Sequence, residues 1–195
     1  KKYDLIINTD YFSTITKKYF NKKILKDYNS YAYISEITHK KINNHTAAQI
    51  FTKHGPLAFL PVSQTQTSLV YSIKKNKKIT NQDLFELINK YNSNYKIKKI
   101  EKFICFKLKS LSLRNYYQGN ILAFGDLLHK IHPLAGQGFN MTIRDIKILV
   151  DIIKFRNNLG LPIDISVNKE FEKKSKAKNI IFSNGIDLIH QFFNL

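Results

Sequence analysis

Cysteine and long apolar runs are both scarce in this chain of 195 residues, and each scarcity narrows what the protein can be. The single cysteine, Cys105, excludes an internal disulfide and any metal site made of several thiolates, and it fits a reducing compartment. No run approaches the ~20 apolar residues of a membrane span, and the first residues lack the apolar core of a signal peptide. The sequence therefore predicts a cytoplasmic protein whose membrane contact is peripheral.

Acidic residues are also few, since 14 Asp and Glu face 32 Lys and Arg and leave a net charge of +18. Almost all of the basic residues are lysines, because Arg114, Arg144 and Arg156 are the only arginines. A surface of this kind attracts anions such as nucleic acid or an anionic membrane face. No zinc knuckle, helix-turn-helix or RNP-type run accompanies the charge, so we favour a solvated lysine surface and expect no nucleic-acid partner.

The beginning of the chain resembles the interior of a protein. Residues 3–7 have the composition of a buried strand, and only two residues precede them. The only methionine is Met141. Since 43% of the residues are hydrophobic, the chain can bury a core. We expect a folded piece of a longer polypeptide.

Hydrophobic periodicity predicts a sheet followed by long helices. Segments rich in β-branched and aromatic residues predict strands at 31–39, 47–53, 57–62, 68–74 and 97–108. Turn formers separate them, which favours antiparallel pairing. Short buried strands are predicted at 3–7 and 120–124, and helices at 13–20, 81–91 with Asn81 as its cap, 137–157, and 166–193 with a break near Gly185.

The most specific segment runs from residue 121 to residue 140. A hydrophobic strand delivers Gly125 and Asp126 to its end, where a glycine lets a ligand approach the backbone and a carboxylate accepts hydrogen bonds from hydroxyl groups. Pro133, Gly136 and Gly138 then lead into a helix, whose first N–H groups lack intrahelical partners. These groups form a patch of partial positive charge that suits an anionic oxygen or ring.

These residues support a named resemblance. The pattern Gly-Asp-x-x-His-x-x-x-Pro-x-x-Gly-Gln-Gly-x-Asn, from Gly125 to Asn140, resembles the second FAD motif of flavin monooxygenases of the para-hydroxybenzoate-hydroxylase type. Its His-Pro-Leu-Ala-Gly-Gln-Gly version, followed by Arg144-Asp145, is similar to the ubiquinone-biosynthesis hydroxylases. Residues 51–62 resemble the strand pair of their substrate-covering sheet, and residues 171–193 resemble the helix after their flavin motif.

The resemblance implies a set of FAD contacts. Asp126 would bind the ribityl chain, and the backbone near Pro133, Gly136 and Gly138 would surround the pyrimidine edge of the isoalloxazine. The candidate cofactor site consists of Gly125, Asp126, Pro133, Gly136, Gln137, Gly138, Phe139 and Asn140. No catalytic side chain is expected, because the oxygen chemistry belongs to the flavin.

The same resemblance implies an α+β fold. An antiparallel substrate-side sheet would pack on an incomplete FAD-binding α/β domain with long C-terminal helices. The expected divisions are 1–30 as a remnant of the FAD-binding domain, 31–110 as the substrate-side sheet, and 111–195 as the FAD-binding strand, the flavin loop and the helices.

The implied function is that of an FAD-dependent monooxygenase, which uses NAD(P)H and O₂ to hydroxylate an aromatic ubiquinone precursor. A greasy substrate of this kind favours peripheral contact with the inner face of the membrane. The alternative is a non-catalytic remnant, or a partner-binding subunit of a split flavoprotein that pairs with a missing N-terminal half or with other biosynthesis proteins.

Two departures from the family pattern stand out. None of the seven glycines forms the G-x-G-x-x-G loop that holds the pyrophosphate, so we expect weak binding of FAD by this chain alone. In the loop after the first strand, Asp10 matches the family pattern, and Thr14 and Lys17 are conservative replacements. Tyr11 stands where the family has glycine and adds bulk where close backbone approach is expected.

Other side chains have a structural interpretation beside a functional one. His129 and His132 could form a metal pair, but polar contacts that stabilise the loop are the favoured reading, since no cluster of Cys or carboxylates accompanies them. Arg144 and Asp145 are expected on the helix surface or in a contact within the domain.

The remaining candidates are aromatic residues and the cysteine. Tyr11, Phe12, Phe51 and Phe59 could line an aromatic pocket, and we favour the core for them. Cys105 is expected to be an inert packing residue within a strand.

Overall fold

The computed structural model describes residues 3–74, 79–133 and 136–192 of the chain, without the side chain of His190. Parts of the predictions lie outside these residues, namely positions 134 and 135 of the motif, residue 193 of the last helix and the lysines of 75–78. The chain divides into two compact units. The first unit comprises Lys1–Lys26 and Lys109–Gln191, and the second comprises Asp27–Leu108 and Phe192–Leu195.

Strands and helices follow one another along the described chain. The strands are β1 (Ile6–Asn8), β2 (Lys23–His39), β3 (Ala48–Thr52), β4 (Gly55–Pro61), β5 (Gln66–Lys74), β6 (Ile97–Ile100), β7 (Ile104–Leu113), β8 (Tyr117–Gln118), β9 (Ile121–Ala123) and β10 (His129–Lys130). The helices are α1 (Thr14–Tyr19), α2 (Asn81–Tyr91), α3 (Gln137–Asn158) and α4 (Ile165–Phe192), and a 3₁₀ turn spans Gly125–Leu127. The predicted α+β architecture, with an antiparallel sheet and long C-terminal helices, is confirmed.

The second unit is built on an antiparallel sheet. β2 lies between β7 and β5 and also pairs with β6, while β4 lies between β5 and β3. Alternate residues of β5 and β4 point into one core, because successive side chains of a strand face opposite sides. The buried members of this core are Ile37, Leu57, Phe59, Leu69, Tyr71, Ile73, Leu84 and Ile88. Helix α2 contributes Leu84 and Ile88, four positions apart on one face, and thereby covers the sheet.

The first unit contains a small sheet and the two long helices. β9 pairs in parallel with β1, from Ile6 opposite Ile121 to Asn8 opposite Ala123, and antiparallel with β8. Helix α3 buries Leu149 and Ile152, and helix α4 buries Val167 and Phe171, against the strand residues. The buried core of this unit consists of Phe20, Leu111, Leu113, Tyr116, Leu122, Ala123, Phe124, Leu127, Leu128, Leu149, Ile152, Val167 and Phe171.

Helix α3 also carries an exposed apolar stripe. Its members follow one another at spacings of four, three and four residues and therefore share one face of the helix. They are Phe139, Ile143, Ile146 and Val150. Within the described part of the chain, no helix combines the length and the apolar character needed to cross a membrane.

Several predicted boundaries were wrong. Strand β2 begins at Lys23 instead of residue 31, and the predicted strand 97–108 is divided into β6 and β7. Helix α4 continues through Gly185 without a break, because one glycine costs only about 1 kcal/mol in a helix and the next residue, Ile186, is buried. The cap of α2 is Thr80 and not Asn81, since its hydroxyl accepts from the amide of Asp83.

The structure also corrects the expected burial of side chains. Phe59 is buried as predicted, but Tyr11, Phe12 and Phe51 are exposed. Cys105 is exposed too, because both faces of the first residues of β7 are accessible, so its assignment as a packing residue was wrong.

Candidate functional site

The carboxyl ends of β1 and β9 lie side by side. The two strands are parallel, and Asn8 lies opposite Ala123 at their ends. The amide of Phe124 then donates to the carbonyl oxygen of Asn8 over 2.9 Å, which keeps the chains together beyond the strands. The loop after β1 and the Gly125–Leu127 turn therefore begin at the same edge, where α/β proteins place ligands.

Gly125 and Asp126 form the tip of this edge. Gly125 adopts the left-handed conformation with a φ of +64°, and a Cβ added to it would meet no atom within 4 Å. Leu127 and Leu128 are fully buried and anchor the turn. Asp126, which follows Gly125, is exposed. Among the described residues, the Asp126 carboxylate has no hydrogen bond or ion pair. This carboxylate is therefore open to a ligand.

The start of helix α3 supplies the second part of the site. Gly136 precedes the helix with a φ of +63°, offers no side chain to cap it, and leaves open space where a Cβ would lie. The first residues, Gln137 and Gly138, are half-buried, whereas Phe139 is 72% exposed and Asn140 is exposed. The first N–H groups of a helix lack intrahelical acceptors, so this end presents partial positive charge.

The Gly125–Leu127 turn and the start of α3 lie in the same unit of the structure. The Gly125–Leu127 turn contacts helix α3 and strand β10, all within the first unit. Pro133 is half-buried. Most predicted members of the candidate cofactor site thus lie on this turn or on the first residues of α3, a helix that the turn contacts.

The loop after β1 is occupied with its own hydrogen bonds. The Asp10 carboxylate accepts from the amide of Phe12 over 2.8 Å, and the hydroxyl groups of Ser13 and Thr16 donate to the Asp10 carbonyl oxygen. Tyr11 lies on the surface with the ammonium group of Lys23 4.0 Å from its ring centre. Asp10 therefore stabilises the loop, and the tyrosine occupies the surface at this edge.

Behind the turn lies a buried polar network. His129 Nε2 donates to Asp145 Oδ2 over 2.8 Å, and these side chains are 3% and 1% exposed. The amide of Asn179 in α4 donates to the same carboxylate oxygen over 3.2 Å, and Arg144 donates to the Asn179 side-chain carbonyl. The contacts within the domain that were expected for His129 and for Arg144-Asp145 are observed.

Asn179 and Tyr116 complete this network, and neither residue was predicted from the sequence. The amide of Asn179 lies 3.4 Å from the Tyr116 hydroxyl, and burial raises the pKa of Tyr116 to about 12. A signal was present in α4, because Ser175 and Asn179 continue the buried face that begins at Phe171. A polar residue in such a face is normally bonded to another buried group.

The arrangement fits a flavin better than a metal ion. An exposed carboxylate can accept from ribityl hydroxyl groups, and the N-terminal end of a helix that no side chain caps can face a ring that gains negative charge. The two glycines leave space beside the backbone at both places. In residues 3–74, 79–133 and 136–192, no group of three His, Cys, Asp or Glu side chains is placed to hold a metal ion.

Comparison with known sequences agrees with this chemistry. The sequence model of a family described as FAD binding domain matches residues 13–155. The 3-demethoxyubiquinol 3-hydroxylase of Escherichia coli is 29% identical over 153 residues, which cover 75% of this chain and 39% of that protein. The mitochondrial ubiquinone biosynthesis monooxygenase COQ6 of Drosophila melanogaster is 24% identical over an alignment of 232 residues with its gaps, which covers 97% of this chain and 49% of that protein. The chain thus spans less than half the length of these two relatives.

Solved structures show a similar fold. The crystal structure of PqsL, "a probable FAD-dependent monooxygenase" from Pseudomonas aeruginosa, superposes with a TM-score of 0.77 at 14% identity. The match covers 98% of this chain and 56% of PqsL. At this level of identity the comparison establishes the fold alone.

Proposed function

Because this chain belongs to the FAD binding domain family, we propose that it forms the flavin-contacting part of an FAD-dependent monooxygenase. The substrate is an aromatic ubiquinone precursor, and the reductant is NAD(P)H. The names of the E. coli and Drosophila relatives support this substrate class. The protein acts in the cytoplasm, in peripheral contact with the inner face of the membrane, where such a substrate resides.

One observation carries the proposal. Among the described residues, the Asp126 carboxylate has no partner and no side chain caps the start of α3. These two features lie on elements that contact each other, and glycines with open space flank both. Asp126 would accept from the ribityl hydroxyl groups. The backbone of Pro133 and of residues 136–140 would surround the pyrimidine edge of the ring.

FAD would supply the redox chemistry with NAD(P)H and O₂. The residues of this chain hold and orient it. The amides at Gln137 and Gly138 would place fixed partial positive charge beside a flavin ring that gains negative charge. Because these amides are held by the helix, they need not reorganise during the reaction. Buried Leu127 and Leu128 fix the turn that carries Asp126, so the carboxylate keeps its place.

A second candidate function is a non-catalytic remnant or a partner-binding subunit of a split flavoprotein. Two features favour it: the 195 residues contain no G-x-G-x-x-G loop, and Tyr11 replaces the glycine expected after β1. In both cases the ADP half of FAD would be held by other residues.

Titration with riboflavin, FMN, FAD and ADP tests the proposed site. We expect riboflavin and FAD to bind with similar affinity and ADP not to compete, because the chain contacts only the ring and the ribityl chain. Asp126→Ala should weaken riboflavin binding roughly 10-fold or more, the cost of a hydrogen bond to a charged group. Asp151→Ala is the matched control, since Asp151 is an exposed carboxylate elsewhere on α3.

The outcomes separate the hypotheses. Binding of ADP but not of riboflavin would contradict the assignment of the site. To distinguish enzyme from remnant, the complete gene product is reduced anaerobically with NADH or NADPH and then given O₂ and a prenylated phenol. Bleaching of bound flavin followed by substrate hydroxylation supports the monooxygenase, and bound flavin that neither reductant bleaches supports the remnant.

A further inference from the structure

Strand β10 connects the two parts of the candidate cofactor site. It spans His129 and Lys130, so it follows Asp126 by three residues and precedes the start of α3. Its backbone pairs with β7, His129 opposite Ser112 and Lys130 opposite Leu111. A shift of this short strand would move Asp126 relative to the first amides of α3.

Within the described part of the chain, one side-chain hydrogen bond joins β10 to α3. His129 Nε2 and Asp145 Oδ2 are 2.8 Å apart, and both side chains are almost completely buried. Asp145 lies eight positions after Gln137, the first residue of the helix. The bond therefore links the strand behind Asp126 to the helix whose start forms the other half of the site.

Asp145 is itself held by further side chains. Asn179 donates to its Oδ2, and the guanidinium of Arg144 lies 3.7 Å from its Oδ1. Arg144 also donates to Asn179, so three side chains on α3 and α4 form a closed set. The nearby positive charge of Arg144 balances the carboxylate, whose burial would otherwise cost several kcal/mol.

Stability alone does not account for this arrangement. His129 Nδ1 and Asp145 Oδ1 are buried and have no hydrogen-bond partner among the described residues. A buried pair of ionisable side chains is a poor source of net stability, because well-packed apolar residues of similar volume often stabilise as much or more. What the pair does provide is a fixed distance between β10 and α3.

We propose that Asp145 is a positioning residue of the candidate cofactor site, which acts through His129 and does not touch the flavin. This inference rests on the proposed function. Asp145 holds β10 against α3, so that the Asp126 carboxylate and the amides of Gln137 and Gly138 meet the same ligand.

Riboflavin binding to variants of Asp145 tests the proposal. Asp145→Ala removes both the charge and the acceptor, and we expect it to weaken riboflavin binding about 10-fold. Asp145→Asn keeps an acceptor for His129 and should restore most of the affinity. Asp151→Ala, an exposed carboxylate on the same helix, should bind as the unmodified protein does. If Asp145→Ala does not fold, His129→Leu removes the same hydrogen bond and leaves Asp145 beside Arg144.

Amide hydrogen exchange provides a readout that needs no ligand. In Asp145→Ala, the amides of residues 125–132 should exchange roughly 10-fold faster, while those around Phe171 in α4 keep their rates, because local opening and global unfolding differ. A uniform acceleration throughout the first unit would assign Asp145 a structural role only and overturn the proposal.

The results also separate this inference from the proposed function. If folded Asp145→Ala binds riboflavin as tightly as the unmodified protein, while Asp126→Ala loses binding, the site is right and the positioning role is wrong. If the unmodified protein binds no riboflavin, the proposed function fails and the cofactor-positioning role fails with it, and hydrogen exchange of residues 125–132 then shows only whether Asp145 holds β10 against α3.

Discussion

The side-chain amide of Asn8 donates a hydrogen bond to the hydroxyl of Thr16 over 2.7 Å, and both residues are buried. This bond ties the end of β1 to helix α1. Asn8→Ala should remove this buried hydrogen bond, while the Thr16 hydroxyl keeps its contacts with Ser13 and Asp10, and should lower the free energy of unfolding by about 1 kcal/mol. Urea denaturation measures this loss. Asn157→Ala, at an exposed position on α3, should change stability by no more than about 0.5 kcal/mol.

Gly55 is expected to be the glycine least tolerant of substitution among the described residues. A Cβ at this position would lie 2.1 Å from the backbone oxygen of Ser72 on the neighbouring strand, and its φ is +132°. Gly55→Ala should therefore add overpacking of about 1–3 kcal/mol to the conformational cost. Gly160→Ala is the matched comparison, since Gly160 has a φ of +65° but open space, and it should cost about 1 kcal/mol. Equal losses in denaturant melts would contradict the clash.

Tyr116 should make the protein sensitive to alkali. Burial raises its pKa from 10.0 to about 12, while the hydrogen bond from Asn179 acts in the opposite direction. Below pH 10.0 Tyr116 is protonated in both the folded and the unfolded state. Its titration therefore does not lower the free energy of unfolding in that range. As the pH rises towards 12, only the unfolded state loses the proton, and the free energy of unfolding should fall by roughly 2 kcal/mol.

Tyr116→Phe tests this effect, because phenylalanine has no proton to lose. Denaturation curves of both proteins at a series of pH values should show a shallower alkaline loss for the variant. Parallel pH curves would mean that Tyr116 is not the responsible residue. Tyr71, whose pKa burial also raises, remains in both proteins and serves as an internal reference.

The capping box of α2 should make the second unit sensitive to acid. The amide and hydroxyl of Thr80 donate to the Asp83 carboxylate and lower its pKa below 3.8. The stabilisation is present above that value and is lost as the pH falls through the folded-state pKa. Asp83→Asn should flatten the acid side of the stability curve. Glu86→Gln, an exposed change in the same helix, should leave that curve as it is.

The sequence predicted most of the site because its signals are local. Gly125 follows a buried strand and Gly136 precedes a helical pattern, so both turns could be placed without knowledge of the fold. The assignment of these residues to a flavin stays a prediction. The partners of Asp145 could not be foreseen, since Asn179 lies 34 residues further on and contacts it only once α3 and α4 have packed.

Strand boundaries were harder to predict where long-range pairing decides them. Residues 27–30, Asp-Tyr-Asn-Ser, have the composition of a turn, and Asn29 indeed has a positive φ of 50°. The strand nevertheless continues through them. Likewise, the break between β6 and β7 surrounds Glu101, whose amide donates to Glu36 and whose carbonyl oxygen accepts from Ser35. These bonds reach across the sheet and leave no trace in local periodicity.

The exposed stripe of Phe139, Ile143, Ile146 and Val150 bears on how the protein behaves in solution. Mutual repulsion at a net charge of +18 keeps the molecules apart at low ionic strength, while four apolar side chains on one helix draw them together. Sulfate both screens the repulsion and strengthens apolar association. The protein should therefore precipitate at a low concentration of ammonium sulfate and remain in solution best in a buffer of low ionic strength.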